Sequence, residues 1–315
     1  VEGVVICNDT DMAMLVFGHK NPDTDSVASA CAYAWMLGGD AEAVLLGNPN
    51  REALCALEVA GMQVPRIIDH VSPEDTVALV DTNNPEELIS FDGGQLHSIV
   101  DHHKLVGGLA TSDPITVHIR PVGCTCTLLW GLMVEQQLTP PREIAVLMAA
   151  AIISDTINLS GPTTTDLDRE VLPKLMALTG LDVHDFTDKL FTAKSDLTGL
   201  EPEALITTDS KAFTVGSHSL RVSVLETVKP DLALEYAPAL REAMAAHKQA
   251  HGVTVFPLYI VDILNQVSYA IAADDTDLQL IASAHGAAVK DDVVVLPGVV
   301  SRKKQMIPAL EKALA

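Results

Sequence analysis

The chain has 315 residues with 20 basic against 42 acidic side chains, a formal charge of −22 at pH 7. That surplus repels phosphate backbones at long range and argues against nucleic acid as a partner. Hydrophobic residues at 48% with aromatics at only 4% describe an Ala/Val/Leu-rich globular protein with room for two domains, and the longest apolar stretch, Ala145 to Ile153, is too short to span a bilayer.

Met14 to Phe17 reads as the first strand, followed by a helix from Ser26 to Gly38, capped by Asp25 or Ser26 and stopped at Gly38-Gly39. A strand over Ala43 to Leu46, a helix over Arg51 to Ala60 and short strands at Arg66 to Ile68, Val77 to Val80, Ser98 to Val100 and Ile115 to Ile119 come next. Near-continuous apolar strands separated by helices predict an α/β domain built on a doubly wound, mostly parallel sheet covered on both faces. Three consecutive helices follow over Thr125 to Gln136, Arg142 to Ile153 and Asp166 to Leu178. The pattern breaks at Lys194-Ser195-Asp196-Leu197-Thr198-Gly199, which places a linker at 194–200 between domains at 1–193 and 201–315. Beyond it, strands at Ala212 to Val215, Leu220 to Leu225, Thr254 to Leu264 and Val267 to Ile271, a long helix from Leu232 to His247 and a terminal helix starting at Lys304 or Gln305 predict a smaller α/β domain with a mixed sheet.

The N-terminal segment carries Glu2, Asp9 and Asp11 and no basic residue before Lys20, so a secretory leader is not expected and Met12 or Met14 reads as a natural start. The five cysteines (Cys7, Cys31, Cys55, Cys124 and Cys126) show no C-x-x-C spacing. Cys124-x-Cys126 can be read as a redox or soft-metal pair, but buried thiols lining a loop and a helix start are the preferred reading. A reducing cytoplasm suits them.

Chemistry concentrates at element ends. Gly18-His19-Lys20-Asn21-Pro22-Asp23-Thr24-Asp25-Ser26 follows the first strand, Asp81 closes Val77 to Val80, Asp101-His102-His103 follows Ser98 to Val100, and Asp155 follows Ala149 to Ser154. In open α/β sheets, ligands gather beyond the carboxyl ends of the strands. Carboxylates mixed with imidazoles suit divalent first-row ions, and so many anions near one point repel each other unless cations sit among them. Pro22 favours a loop ahead of the helix, which lets Asp23 and Asp25 face different ions. Asp81 is the candidate to bridge a pair. Asp101 reads either as a strand-end cap or as a group orienting the His102 imidazole from behind. Far downstream, Ser301-Arg302-Lys303-Lys304-Gln305 sets three cations in a row in a chain otherwise short of positive charge, with Lys211 as a further candidate donor to phosphate. Ala284-His285-Gly286-Ala287-Ala288 suggests a phosphate loop only faintly. The other histidines are assigned to surface or core roles.

Taken in order, G-H-K-N-P-D-T-D-S, D-T-N, D-H-H-K, R-P-V-G-C-T, S-D-T and the terminal S-R-K-K-Q resemble the DHH phosphoesterase superfamily, and closely its manganese-dependent (family II) inorganic pyrophosphatases. The resemblance implies that His19, Asp23 and Asp81 hold one metal, and that Asp25, Asp81, His102 and Asp155 hold the other. It implies substrate-phosphate and catalytic contacts from His103, Lys211, Arg302 and Lys303, with His103 also giving a proton to the leaving group. Mn²⁺ or Co²⁺ in the two sites, Mg²⁺ accompanying pyrophosphate, a homodimer through the N-terminal domain and hydrolysis by a dimetal-activated bridging water follow from the same resemblance. An exopolyphosphatase or nucleotide-oligomer phosphodiesterase on the same scaffold is the alternative. Relatives often have D-H-N-E where this chain has Asp81-Thr82-Asn83-Asn84, and the short span from Asp69 to Val77 leaves no room for the regulatory nucleotide-binding insert that some members carry.

Overall fold

The computed structural model describes residues 14–92 and 95–314; the tail with Cys7 and the proposed start at Met12 lies outside the described residues. The chain divides into two compact units between Ala193 and Lys194.

In the first unit β1 (Met14–Phe17), α1 (Thr24–Leu37), β2 (Ala41–Leu45), α2 (Arg51–Ala60), β3 (Arg66–Ile67), β4 (Thr76–Val80), β5 (Leu96–Asp101) and β6 (Thr116–Ile119) are followed by α3 (Thr125–Glu135), α4 (Arg142–Asp155), α5 (Asp166–Thr179) and α6 (Val183–Lys194). The six strands form one sheet in the order β3-β2-β1-β4-β5-β6, with every pair parallel. The chain leaves β1 in one direction to β2 and β3, then returns beside β1 and proceeds the other way through β4 to β6. The order therefore reverses between β1 and β4, where the connections diverge and open a crevice beyond the strand ends.

Alternation along the strands builds two apolar layers. Leu15, Phe17, Val77, Leu79 and Ile99 pack with residues of the connecting segments such as Leu88 and Leu109. Helix α4 is a nearly unbroken run of buried side chains from Ile144 to Ser154, and it packs against α1, α2 and α5. A helix apolar all round must lie in the interior, so the residue at its end, Asp155, is delivered from the core.

The first turn of α1 corrects the sequence expectation. Its cap is Asp23, whose Oδ1 accepts from the Ser26 amide at 3.0 Å, and neither Asp25 nor Ser26 is the cap. Asp25 lies on the helix itself, fully buried. The reason is local: Pro22 keeps Asn21 extended, so the helix starts two residues earlier, at the first side chain able to cap it.

The second unit contains α7 (Pro202–Thr208), β7 (Ser210–Val215), β8 (His218–Thr227), α8 (Pro230–Glu235), α9 (Ala237–His251), β9 (Pro257–Asp262), β10 (Val267–Ala272), α10 (Asp275–His285), β11 (Val289–Lys290), β12 (Val293–Pro297) and α11 (Ile307–Leu314). Its sheet runs β11-β12-β10-β9-β8-β7 and is mixed, with β8 and β9 parallel and the other pairs antiparallel. Leu258 and Ile260 face Ile206, Leu240 and Met244 of α7 and α9, while Tyr259 and Val261 face the side holding Ile281 and Leu310 of α10 and α11.

Three expectations change here. The single helix over Leu232 to His247 is two, because Pro238 lacks an amide hydrogen and disfavours a helical residue before it. The strand over Thr254 to Leu264 shortens to β9, begun by Pro257. Ala284 to Ala288 is the end of α10, with Gly286 at φ 62° as its left-handed stop, and not a phosphate loop.

Candidate metal centre

Four segments of the first unit deliver their polar side chains to one place at the β1–β4 crevice. His19 comes from the turn after β1, where Gly18 makes the approach possible: a Cβ there would lie 2.1 Å from Ser26 Oγ and 3.1 Å from the Val80 carbonyl. Asp23 and Asp25 come from the start of α1. Asp81 follows β4 with φ 57°, a left-handed conformation that aspartate tolerates better than most residues and that turns its side chain out of the strand direction. His102 and His103 follow β5, and Asp155 ends α4.

The distances sort these groups into two sets. His19 Nε2 lies 3.6 Å from Asp23 Oδ2 and 3.5 Å from Asp81 Oδ2. His102 Nε2 lies 3.4 Å from Asp81 Oδ1 and 3.9 Å from Asp25 Oδ2. Ligand atoms of His19, Asp23 and Asp81 fall within 4.8 Å of one another, as do those of Asp25, His102 and Asp155. Asp81 thus turns one oxygen to each histidine. The two α1 aspartates part as the sequence expects, though from a cap and a helical turn instead of a loop.

The electrostatics describe a pocket that attracts positive charge. Burial opposes the imidazolium of His19, yet the neighbouring carboxylates of Asp23 and Asp81 raise its pKa to about 10. The same contest at His102, with Asp81 and Asp25 as its partners, ends at about 9. Burial and the neighbouring Asp81 push Asp25 up to about 6. Asp81 is buried too, but the two imidazoles hold it well below the usual carboxylate range. The raised pKa values of the two histidines and the paired carboxylates around them mark places that favour positive charge. The mixture of hard oxygens and imidazole nitrogens, with Asp81 able to serve both sets, fits a pair of first-row ions.

Supporting contacts revise the role of Asp101. Its Oδ1 lies 3.0 Å from His103 Nδ1 and accepts the His103 amide at 3.0 Å, while Asn83 Nδ2 donates to its Oδ2 at 2.6 Å. It orients His103, not His102. The two histidines are consecutive, and only His103 turns back onto the strand-end carboxylate. His102 Nδ1 is instead set against the Val122 carbonyl at 3.0 Å, leaving Nε2 for the pocket. Asn83 also donates to the Lys104 carbonyl and accepts from the Val106 amide, so it braces the loop that carries His103. A cavity of about 580 Å³ opens here, with His19, Asp23, Asn83, His103 and Lys104 among its lining.

Sequence reasoning preferred Cys124 and Cys126 as buried thiols at a loop and helix start, as they are, and used R-P-V-G-C-T only for the family resemblance; it gave Gly123 and Thr125 no role, although the segment frames the pocket. Cys124 and Cys126 are buried at the start of α3, and burial pushes both thiols up, Cys124 far above its ordinary range. A small polar run before an apolar helix was the available signal.

In the second unit, Lys211 stands opposite Val222 in the β7–β8 pair, and the Arg302 guanidinium reaches the Val222 carbonyl at 3.4 Å, so those two cations share one corner of the sheet. Arg302, Lys303 and Lys304 lie on a π-helical turn over Arg302–Met306 capped by Ser301, while Gln305 pins the approach through the amides of Val300 and Ser301 and the Gly298 carbonyl. Lys303 is exposed on that turn.

This architecture is that of a DHH phosphoesterase-type chain: the DHH family N-terminal domain matches residues 13–152 and the DHHA2 domain matches residues 188–313. Proteins named as manganese-dependent inorganic pyrophosphatases are 39% identical over 95% of this chain in Lactobacillus johnsonii and 38% identical over 95% in Lactobacillus acidophilus, covering 98% and 97% of those proteins. A crystal structure from Methanococcus jannaschii assigned to the family II inorganic pyrophosphatases aligns over 96% of this chain and 99% of its own, with 31% identity and a TM-score of 0.63. The chain belongs to the manganese-dependent, family II inorganic pyrophosphatases.

Proposed function

We propose that this protein hydrolyses inorganic pyrophosphate to two orthophosphates with manganese as its working metal. The observation that carries the reading is the split of Asp81, with Oδ2 at 3.5 Å from His19 and Oδ1 at 3.4 Å from His102, between two sets of donor atoms. His19, Asp23 and Asp81 would hold one ion; Asp25, Asp81, His102 and Asp155 would hold the other. Bound there, Mn²⁺ or Co²⁺ supplies Lewis acidity and lowers the pKa of water for in-line attack. Every other step belongs to the chain. His103, fixed at Nδ1 by Asp101, presents Nε2 as a proton donor to the departing phosphate. Lys211, Arg302 and Lys303 bind the substrate's phosphoryl oxygens and offset charge as the P–O bond breaks. Mg²⁺ accompanies the substrate. A cytoplasmic homodimer joined through the first unit, without nucleic acid, completes the assignment. Among the described residues no helix is long and apolar enough to cross a membrane.

The deciding assay is phosphate release after chelation and re-addition of Mn²⁺, Co²⁺ or Mg²⁺, run on pyrophosphate, tripolyphosphate and a dinucleotide. Release from pyrophosphate should return with Mn²⁺. A preference for tripolyphosphate or the dinucleotide would move the protein to the alternative activities.

Metal uptake should also expel protons. Without metal, His19 and His102 carry protons at pH 7.5, because their pKa values are raised to about 10 and about 9. An imidazole must be neutral to ligate, so the metal-free state holds more protons and affinity must climb with pH, by about tenfold per pH unit for each proton displaced. The gain should level off as the pH passes those values. Calorimetry of Mn²⁺ binding at pH 7.5 in buffers of different ionisation enthalpy should show release of about two protons per chain; heats independent of buffer would contradict this.

A further inference from the structure

The segment Val122–Cys126 meets three of the assigned metal-facing side chains. Cys124, the N-cap of α3, makes no capping bond with its own side chain, and the free amides at the helix start turn elsewhere. Asp25, from α1, takes them: its Oδ2 accepts the Thr125 amide at 2.6 Å, and its Oδ1 accepts the Cys126 amide at 3.2 Å and the Cys124 thiol at 3.0 Å. A carboxylate offers about four acceptor positions. With three taken, Asp25 is left one directed position, on Oδ2, the oxygen nearer His102.

Thr125 then does a second thing. Its hydroxyl donates to Asp81 Oδ1 at 3.1 Å, so one residue grips Asp25 through its amide and Asp81 through its side chain. All three are buried to within 2% of complete exclusion. The base of this grip is held by buried hydrogen bonds. Asp168, fully buried in the capping box of α5, accepts from the Gly123 amide at 2.9 Å through Oδ2 and from the Thr127 hydroxyl at 2.6 Å through Oδ1. A Cβ on Gly123 would stand 2.7 Å from that Oδ2, so the seat admits only glycine without displacement.

We infer that Thr125 is a positioning residue that fixes the spacing between Asp25 and Asp81, and through it the spacing of the two cations that the proposed function requires. The inference rests on that function but concerns different atoms. Groups behind metal ligands typically govern about 10- to 100-fold in affinity. Thr125→Val keeps the shape and the backbone amide that serves Asp25, and removes only the donor to Asp81. Thr125→Ser keeps the donor and loses the methyl.

The experiment is a Mn²⁺ titration of the full chain by calorimetry, with electron paramagnetic resonance to read exchange coupling between two ions sharing a bridge. The wild type should take up two coupled ions, and Thr125→Ser should match it. Thr125→Val should bind one of the two ions about 10- to 100-fold more weakly, with coupling diminished; Thr125→Ala serves the same purpose if the valine variant does not fold. Two coupled ions in the wild type and equal behaviour in Thr125→Val would overturn the clamp alone. So would equal weakening of the serine and valine variants, which would assign the effect to the methyl group. Absence of Mn²⁺ uptake by the wild type would bring down the proposed function and the clamp together.

Discussion

Replacing Asp81 by asparagine should reduce turnover on pyrophosphate by about a thousandfold or more, since Lewis-acid stabilisation is worth several kcal/mol and each 1.36 kcal/mol is tenfold in rate. The substitution is chosen to spare the fold. Asparagine tolerates the left-handed φ of 57° that this position needs, and its carbonyl oxygen can still accept the Thr125 hydroxyl. What it loses is the charge and one of two oxygens, and therefore the ability to serve His19 and His102 at once. Bound manganese, measured after gel filtration, should fall from two ions per chain towards one, while the metal-free variant stays folded by circular dichroism but melts lower than the wild type, because His19 and His102 lose the buried carboxylate they share. Two ions retained with near-normal turnover would show that the bridge lies elsewhere.

How far this centre could be read from sequence depends on the element that carries each group. His19, Asp81 and His102 follow short apolar strands, and a parallel sheet gathers its strand ends on one edge, so their convergence was foreseeable once the strands were recognised. Asp155 was harder, because it ends a helix whose all-round apolarity announces burial but not direction. Asp101 misled for a geometric reason: adjacency to His102 in sequence says nothing about which of two consecutive imidazoles folds back onto it. Thr125 stood in the sequence only as the last residue of the R-P-V-G-C-T motif, with no role attached, since its contacts reach Asp25 and Asp81, about a hundred and about forty positions away along the chain.

The second unit was legible in outline only. Alternation betrays β7 to β10, but β11, at the sheet edge, and β12, between β11 and β10, have only two and five residues, too brief for periodicity to distinguish from loop. The break at Pro238 was available from local chemistry and was outweighed by an alanine-rich pattern. The terminal S-R-K-K-Q motif is better understood from structure than from charge: Ser301 and Gln305 build the turn, and the three cations ride on it.

That turn leads to the other large expected effect. Arg302 is not a loose cation. Its side chain is only 13% exposed, its Nη2 lies 2.5 Å from Asp209 Oδ1, and its Nη1 donates to the Asp209 carbonyl at 2.9 Å. A guanidinium has five N–H donors in a fixed fork, so some remain for a phosphate while the others keep it aimed. Arg302→Ala should lower turnover by about 10²- to 10³-fold, the range for removing one donor aimed at developing charge. Manganese stoichiometry should be unchanged, because the residues assigned to the two ions all belong to the first unit and Arg302 to the second. Asp209 is half exposed and can be rehydrated, so the stability loss should be modest. Arg302→Lys provides the sharper comparison. It restores the charge without the fork, and should recover only part of the lost turnover if orientation matters as well as charge. Full recovery by lysine would reduce Arg302 to a point charge, and wild-type turnover in the alanine variant would remove it from the reaction.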